Sequence, residues 1–209
     1  MFRMRRAPGD LARSEAKNLS PYCTDQKKVP NRSNTAMTNV SPTLIVLSGL
    51  PGSGKTVVAE GLSRSLSVPI LSIDSIEAAM WRAGLARTET GVAAYEVAQA
   101  LVDENLRLRH TVIVDAVNPA EAPRAAWRNL AAKHRIGLKI IECVCSDEAI
   151  HRQRIEAPVS STAGRRELTW ARLLQRRAEY EPWTDPRLVL DTSRTSPAQL
   201  LAQALNYMQ

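Results

Sequence analysis

Apolar residues recur along this chain in two alternating patterns, and the alternation predicts a fold class. Short, β-branched runs bounded by polar or turn residues lie at 43–48, 69–74, 111–115, 139–145 and 187–191, as expected of buried strands. Between them the apolar positions take helical spacing. Val57, Val58, Leu62 and Leu66 predict one helix, and 75–85 a short second one. A long amphipathic helix over 89–109 draws on Val92, Tyr95, Val97, Ala98, Leu101, Val102, Leu106 and Leu108. Further helices are expected over 120–134, after Ser146 and Asp147 as an N-cap, and over 196–208. Strands alternating with helices predict an α/β fold, a five-stranded parallel sheet with helices on both faces and right-handed crossovers.

Residues 1–40 show neither periodicity and are rich in Arg, Lys, Ser, Asn and Pro, so a disordered basic tail is expected there, with a globular domain over 41–209. Met37 is a candidate start of the functional chain. The tail changes how charge is read. Eight basic and three acidic side chains fall within it, which is +5 of the formal net charge of +7, so the globular part is nearly neutral and the balance argues little for nucleic acid. No apolar run approaches a membrane span, no secretory leader is evident, and three cysteines are too few for a disulfide framework. A cytoplasmic location without membrane association is expected. Cys143 and Cys145 alternate within a predicted strand and read as small core residues. His110, His134 and His151 fit no ligand or nucleophile pattern and are assigned to surfaces or helix ends.

Chemistry enters with the segment joining the first strand to the first helix. Gly49-Leu50-Pro51-Gly52-Ser53-Gly54-Lys55-Thr56 matches G-x-x-x-x-G-K-[ST] in the strand, loop and helix context of a Walker A phosphate loop. Its glycines allow tight turns and close approach of backbone N–H groups to phosphate, and the helix that follows adds its positive end. Gly49, Pro51, Gly52, Ser53, Gly54, Lys55 and Thr56 are thus the expected nucleotide contacts. Lys55 reaches the outer phosphates, and the Thr56 hydroxyl is placed for magnesium.

Two further strands end in carboxylates, Asp74 and Asp115, and strand carboxyl ends line the ligand crevice of an open parallel sheet. Asp74 is the candidate base that holds the acceptor hydroxyl, with helix capping as its structural alternative. Asp115 is a candidate magnesium residue with Asn118 beside it. Trp81 and Arg124 are candidate acceptor contacts. Seven arginines fall within 151–177, where Arg154, Arg165 and Arg166 are the candidate catalytic cations of a lid spanning a mobile interval at 158–164. The N-K-x-D signature of small GTPases and the L-S-G-G-Q signature of transporter ATPases are both absent from the chain.

G-L-P-G-S-G-K-T, L-S-I-D-S-I, V-I-V-D-A-V-N-P, C-S-D-E-A-I-H-R-Q-R-I-E and the later Y-E-P-W-T-D-P-R-L-V-L-D-T resemble the P-loop kinases of the zeta-toxin, chloramphenicol phosphotransferase and polynucleotide kinase branch. The nearest resemblance is to bacterial AAA-family ATPases predicted to be kinases, from about residue 43 to the end. It implies that Asp74 is the acceptor base and that Asp115 and Asn118 lie by the acceptor and metal. Two positions depart from the pattern. Glu77 stands where polynucleotide kinases carry an arginine, and Pro158 where the second arginine of an R-x-x-x-R lid is expected, which leaves Arg165 or Arg166 to replace it.

The expectation is an ATP- and magnesium-dependent kinase acting on a hydroxyl of a small molecule. The alternatives are a 5′-hydroxyl polynucleotide kinase, for which nucleic acid would be the partner, and a non-catalytic ATP-binding regulatory module.

Overall fold

The computed structural model describes residues 41–157 and 168–209. Five strands form one parallel sheet, β1 (Thr43–Ser48), β2 (Ile70–Ser72), β3 (Val112–Asp115), β4 (Gly137–Val144) and β5 (Leu188–Asp191), in the order β2-β3-β1-β4-β5. Seven helices alternate with them: α1 (Lys55–Leu66), α2 (Ile73–Arg82), α3 (Arg87–Arg107), α4 (Glu121–His134), α5 (Glu148–Glu156), α6 (Trp170–Ala178) and α7 (Pro197–Tyr207). The chain passes from β1 to the edge strand β2, returns to β3 between them, and then crosses to the other side of β1 for β4 and β5. The strand order therefore reverses beside β1, where a ligand crevice is expected in such a sheet.

Period-two alternation sorts the strands between two cores. Leu44, Val46, Val112 and Val114 face α3 and α4, meeting Ala98, Val102, Leu106 and Trp127. Ile45, Leu47, Ile113, Ile141, Cys143 and Leu190 face α1 and α7, meeting Val58, Leu62, Leu200 and Ala204. Cys143 of β4 and Cys145, one residue past its end, are buried, as expected of small core residues. Burial pushes the Cys143 thiol up to about 12, which leaves it inert.

Three expectations change. In α3 the face against the sheet is Ala94, Ala98, Val102 and Leu106, four residues apart, whereas Val92, Val97, Leu101 and Leu108 are exposed. One sheet face accommodates one helical stripe, and the small alanines bring the helix close; spacing alone does not distinguish that stripe from its neighbours. β2 stops at Ser72, two residues earlier than its apolar pattern suggests. The Ser72 hydroxyl accepts from the Ser75 N–H at 3.3 Å and caps α2, so Asp74 lies in the first turn of a helix and is not its cap. His151, expected at a surface or a helix end, lies within α5 and is 2% exposed.

Candidate active site

The loop after β1 is shaped by backbone conformations that only glycine adopts without strain. Gly49 has φ +132°, and a Cβ there would stand 2.1 Å from the Cys143 carbonyl oxygen of β4. Gly52 has φ +74°, and a Cβ there would stand 2.8 Å from the Ile155 Cδ1 of α5. The loop consequently lies flat against β4 and α5 and turns into α1 at Gly54. Lys55 opens α1, is 6% exposed, and donates to the Leu50 carbonyl at 3.3 Å, which folds its ammonium back over the loop. The backbone N–H groups of Gly52 and Gly54 have no protein acceptor among the described residues. A concavity with free N–H donors, a folded-back ammonium and a helix N-terminus fits the phosphates of a nucleotide.

Asp115 is 5% exposed at the end of β3, and its Oδ2 accepts the Thr56 hydroxyl at 2.8 Å. Two hard oxygen ligands are thereby joined at the floor of the loop. Magnesium is commonly held by one or two protein oxygens plus substrate phosphates and water, which this pair fits. No cluster of three or more His, Cys, Asp or Glu occurs among the described residues.

Sheet register relates the strands that carry these parts. Asp115 pairs with Leu47 of β1 on one side and with Ser72 of β2 on the other. β1 leads into the loop at Gly49 and β2 leads into α2, which carries Asp74 in its first turn, so β3 and Asp115 lie in the sheet between the two strands that bear these segments. Asp74 is exposed. Beside it, burial above all raises the Tyr95 phenol to about 12, and the charges of Asp74 and Glu77 add to the shift.

Comparison with known proteins follows the same outline. A family model described as an AAA domain matches residues 44–183. The chain belongs to that family. No curated protein matches by sequence. Solved structures that share the fold include a candidate kinase from Chloroflexus aurantiacus (20% identity, TM-score 0.68, 81% of this chain and 100% of that one). Another is the Mycobacterium tuberculosis APS kinase in complex with AMPPNP and APS (20%, 0.61, 80% and 98%). A third is a gluconokinase from Sinorhizobium meliloti (19%, 0.57, 80% and 91%).

Within this AAA domain, two of the expected acceptor contacts have other duties. Arg124 is 2% exposed; its Nε and both Nη atoms donate to the carbonyls of Asn118, Pro119, Glu181 and Pro182 at 2.6 to 3.3 Å, and its guanidinium lies over the Trp183 ring. It ties the segment after α6 to the loop after β3. Asn118 is fully buried with φ +50°, donating to the Leu47 carbonyl at 3.3 Å and accepting from Trp127 Nε1 at 2.9 Å. Both are corrections. Their polar groups are spent inside the protein, so neither faces an acceptor. Trp81 donates to the Thr90 hydroxyl at 2.7 Å, which in turn donates to Glu77 at 3.1 Å. Glu77 therefore braces α2 against α3.

Arg154, expected to contact phosphate, donates to the Thr192 hydroxyl and carbonyl at 2.7 and 2.9 Å and to the Gly52 carbonyl at 3.4 Å. It grips the loop from outside. Arg165, Arg166 and Pro158 lie outside the described residues, as does the 1–40 segment.

Several residues here escaped sequence reasoning. The Tyr180 hydroxyl donates to Glu142 at 3.1 Å, accepts from Trp183 Nε1 at 2.9 Å and meets the Ser48 hydroxyl at 3.0 Å, while Arg187 pairs with Glu142 at 2.6 Å. This network holds the chain after α6 against the end of β1. A cavity of about 340 Å³ beside the loop is lined by Leu50, Ser53, Cys145, His151, Arg177 and Tyr180. The signal available was the Y-E-P-W and L-D-T context, which showed resemblance but no partner.

Proposed function

We propose that this protein transfers the terminal phosphoryl group of ATP to a hydroxyl of a small molecule, with magnesium bound. One observation supports the reading: Asp115, at the end of β3 with Thr56 bonded to it, is flanked in the sheet by the strands that lead into the phosphate loop and into α2, which bears Asp74. In this reading the donor cradle, metal ligands and acceptor base would all lie at the carboxyl ends of neighbouring strands, as phosphoryl transfer requires. The small-molecule kinases among its structural neighbours support the choice of acceptor class.

In this reading the N–H groups of Gly52 and Gly54 and the Lys55 ammonium hold the β- and γ-phosphates. Thr56 and Asp115 hold magnesium, which supplies neutralisation of phosphate charge. Asp74 accepts a hydrogen bond from the acceptor hydroxyl and takes its proton as the new O–P bond forms and the bond to ADP breaks. Arg124 and Asn118 act at a distance, by fixing the loop after β3.

The test is a screen for acceptor-stimulated ADP release with ATP and magnesium, over sugar acids, nucleosides, amino alcohols and 5′-hydroxyl oligonucleotides, with products identified by phosphorus NMR. Stimulation by a small hydroxylated compound is expected. Stimulation confined to oligonucleotides would replace the small-molecule acceptor by a polynucleotide. Tight ATP binding with no stimulated release would leave a nucleotide-binding regulator.

A further inference from the structure

Three consecutive carbonyls of the phosphate loop are gripped by side chains that lie far outside its motif. His151 of α5, 2% exposed, contacts the Pro51 carbonyl through Nε2 at 2.8 Å. Arg154, one turn later, donates to the Gly52 carbonyl at 3.4 Å. Thr192, just after β5, donates its hydroxyl to the Ser53 carbonyl at 2.8 Å, while Arg154 donates to that same hydroxyl oxygen.

The planarity of the peptide unit gives these contacts a consequence. In a trans peptide the C=O and the following N–H point in opposite directions. Holding the Pro51 oxygen against His151 turns the Gly52 N–H to the far side, and holding the Ser53 oxygen against Thr192 does the same for the Gly54 N–H. Neither of those N–H groups has an acceptor among the described residues. The grips act on alternate peptides and turn both donors away from the side chains that hold them.

The His151 ring has its tautomer set by its partners. A carbonyl only accepts, so Nε2 carries the proton. Nδ1 is then the acceptor that faces Arg177 Nη2 at 3.5 Å, and Trp170 stands edge-on to the ring. Arg177 of α6 keeps Nδ1 unprotonated, and its own charge lies over the Trp170 ring. The contact of His151 Cδ2 with the Cβ position of Gly52, at 3.2 Å, places the imidazole flush against the loop.

We propose that His151 and Thr192 are positioning residues for nucleotide binding, holding the Pro51 and Ser53 carbonyls outward so that the Gly52 and Gly54 N–H groups are pre-aimed at the β-phosphate. The proposal rests on the phosphate-loop reading and goes beyond it by giving two residues outside the motif control over nucleotide affinity. It also predicts which ligands feel them. A nucleotide with a β-phosphate depends on the grips, whereas AMP depends on them little.

The experiment measures ADP and AMP affinity calorimetrically, with thermal unfolding as a control, for Thr192→Val, His151→Asn, His151→Gln and Lys55→Ala. The Gln amide nitrogen reaches the position of Nε2 and can donate to Pro51, whereas the Asn amide reaches only that of Nδ1. Thr192→Val and His151→Asn are each expected to weaken ADP about 3- to 10-fold, the value of one hydrogen bond, with AMP unchanged and His151→Gln near wild type. ADP affinity at the wild-type level in both Thr192→Val and His151→Asn overturns the proposal, as does an equal loss for ADP and AMP. If His151→Asn does not fold, Thr192→Val decides alone. Lys55→Ala separates the two levels: wild-type ADP binding in that variant removes the phosphate-loop reading itself.

Discussion

The Thr56 hydroxyl donates to Asp115 Oδ2 at 2.8 Å across 59 residues of sequence, joining the first turn of α1 to the end of β3. In the proposed function a magnesium ion would be held by both oxygens of this pair. Thr56→Ser retains the hydroxyl and should behave like wild type. Thr56→Val and Asp115→Asn should raise the magnesium concentration that supports ADP release, or lower its rate, by about 10- to 100-fold. A magnesium titration checks this; an unchanged titration with lowered thermal stability would make the pair structural.

Lys55 is folded back on the Leu50 carbonyl, a single bond of 3.3 Å that is easily exchanged for phosphate. Lys55→Ala should therefore cost little in unfolding temperature. If its ammonium makes the proposed charge-assisted contact with ATP, the loss expected in a binding titration is about 10- to 100-fold. Retention of affinity would remove Lys55 from the site.

Asp74 is exposed in the first turn of α2, with the cap function supplied by Ser72. Asp74→Asn should leave ATP affinity and folding intact while lowering the rate of transfer by about 100-fold or more. Single-turnover measurements separate binding from transfer. Equal losses in both would make the carboxylate a structural group.

Arg124 holds four backbone carbonyls beneath the loop after β3. Arg124→Met should destabilise the fold by about 3 kcal/mol or more, since buried carbonyls lose their donors, and Arg124→Lys should not restore the planar fork. Urea unfolding measures it. A raised KM for the acceptor with unchanged stability would return Arg124 to the acceptor site.

Burial, above all, depresses the His151 pKa, and Arg177, Arg154 and Lys55 face it with like charge. A base whose folded pKa is depressed stabilises the fold fully above its unfolded pKa of about 6.5 and loses that contribution as pH falls through it. The stability advantage of wild type over His151→Gln should narrow between pH 7.5 and 5. Thermal unfolding across that range checks it, and a constant difference would show that the imidazole does not titrate there.

Much of this molecule was legible before any coordinates. Apolar runs separated by helical spacing determined the five parallel strands and the two-sided layering, because both patterns report which local conformation can bury a face. The glycine, lysine and threonine order determined the phosphate loop, because that chemistry resides in one contiguous segment. Asp115 ends β3 as its apolar run predicts, whereas Asp74, expected to end a strand, lies in the first turn of α2 because Ser72 caps that helix.

Only the tertiary structure decided what Arg124, Asn118, Arg154, His151 and Thr192 do. Their partners lie up to 139 residues away, as Thr192 and Ser53 do. An arginine that satisfies four buried carbonyls and one that grips phosphate have the same letter and similar neighbours. What separates them is whether their hydrogen bonds are already spent inside the protein, and that is set by packing between elements that the chain order does not place side by side.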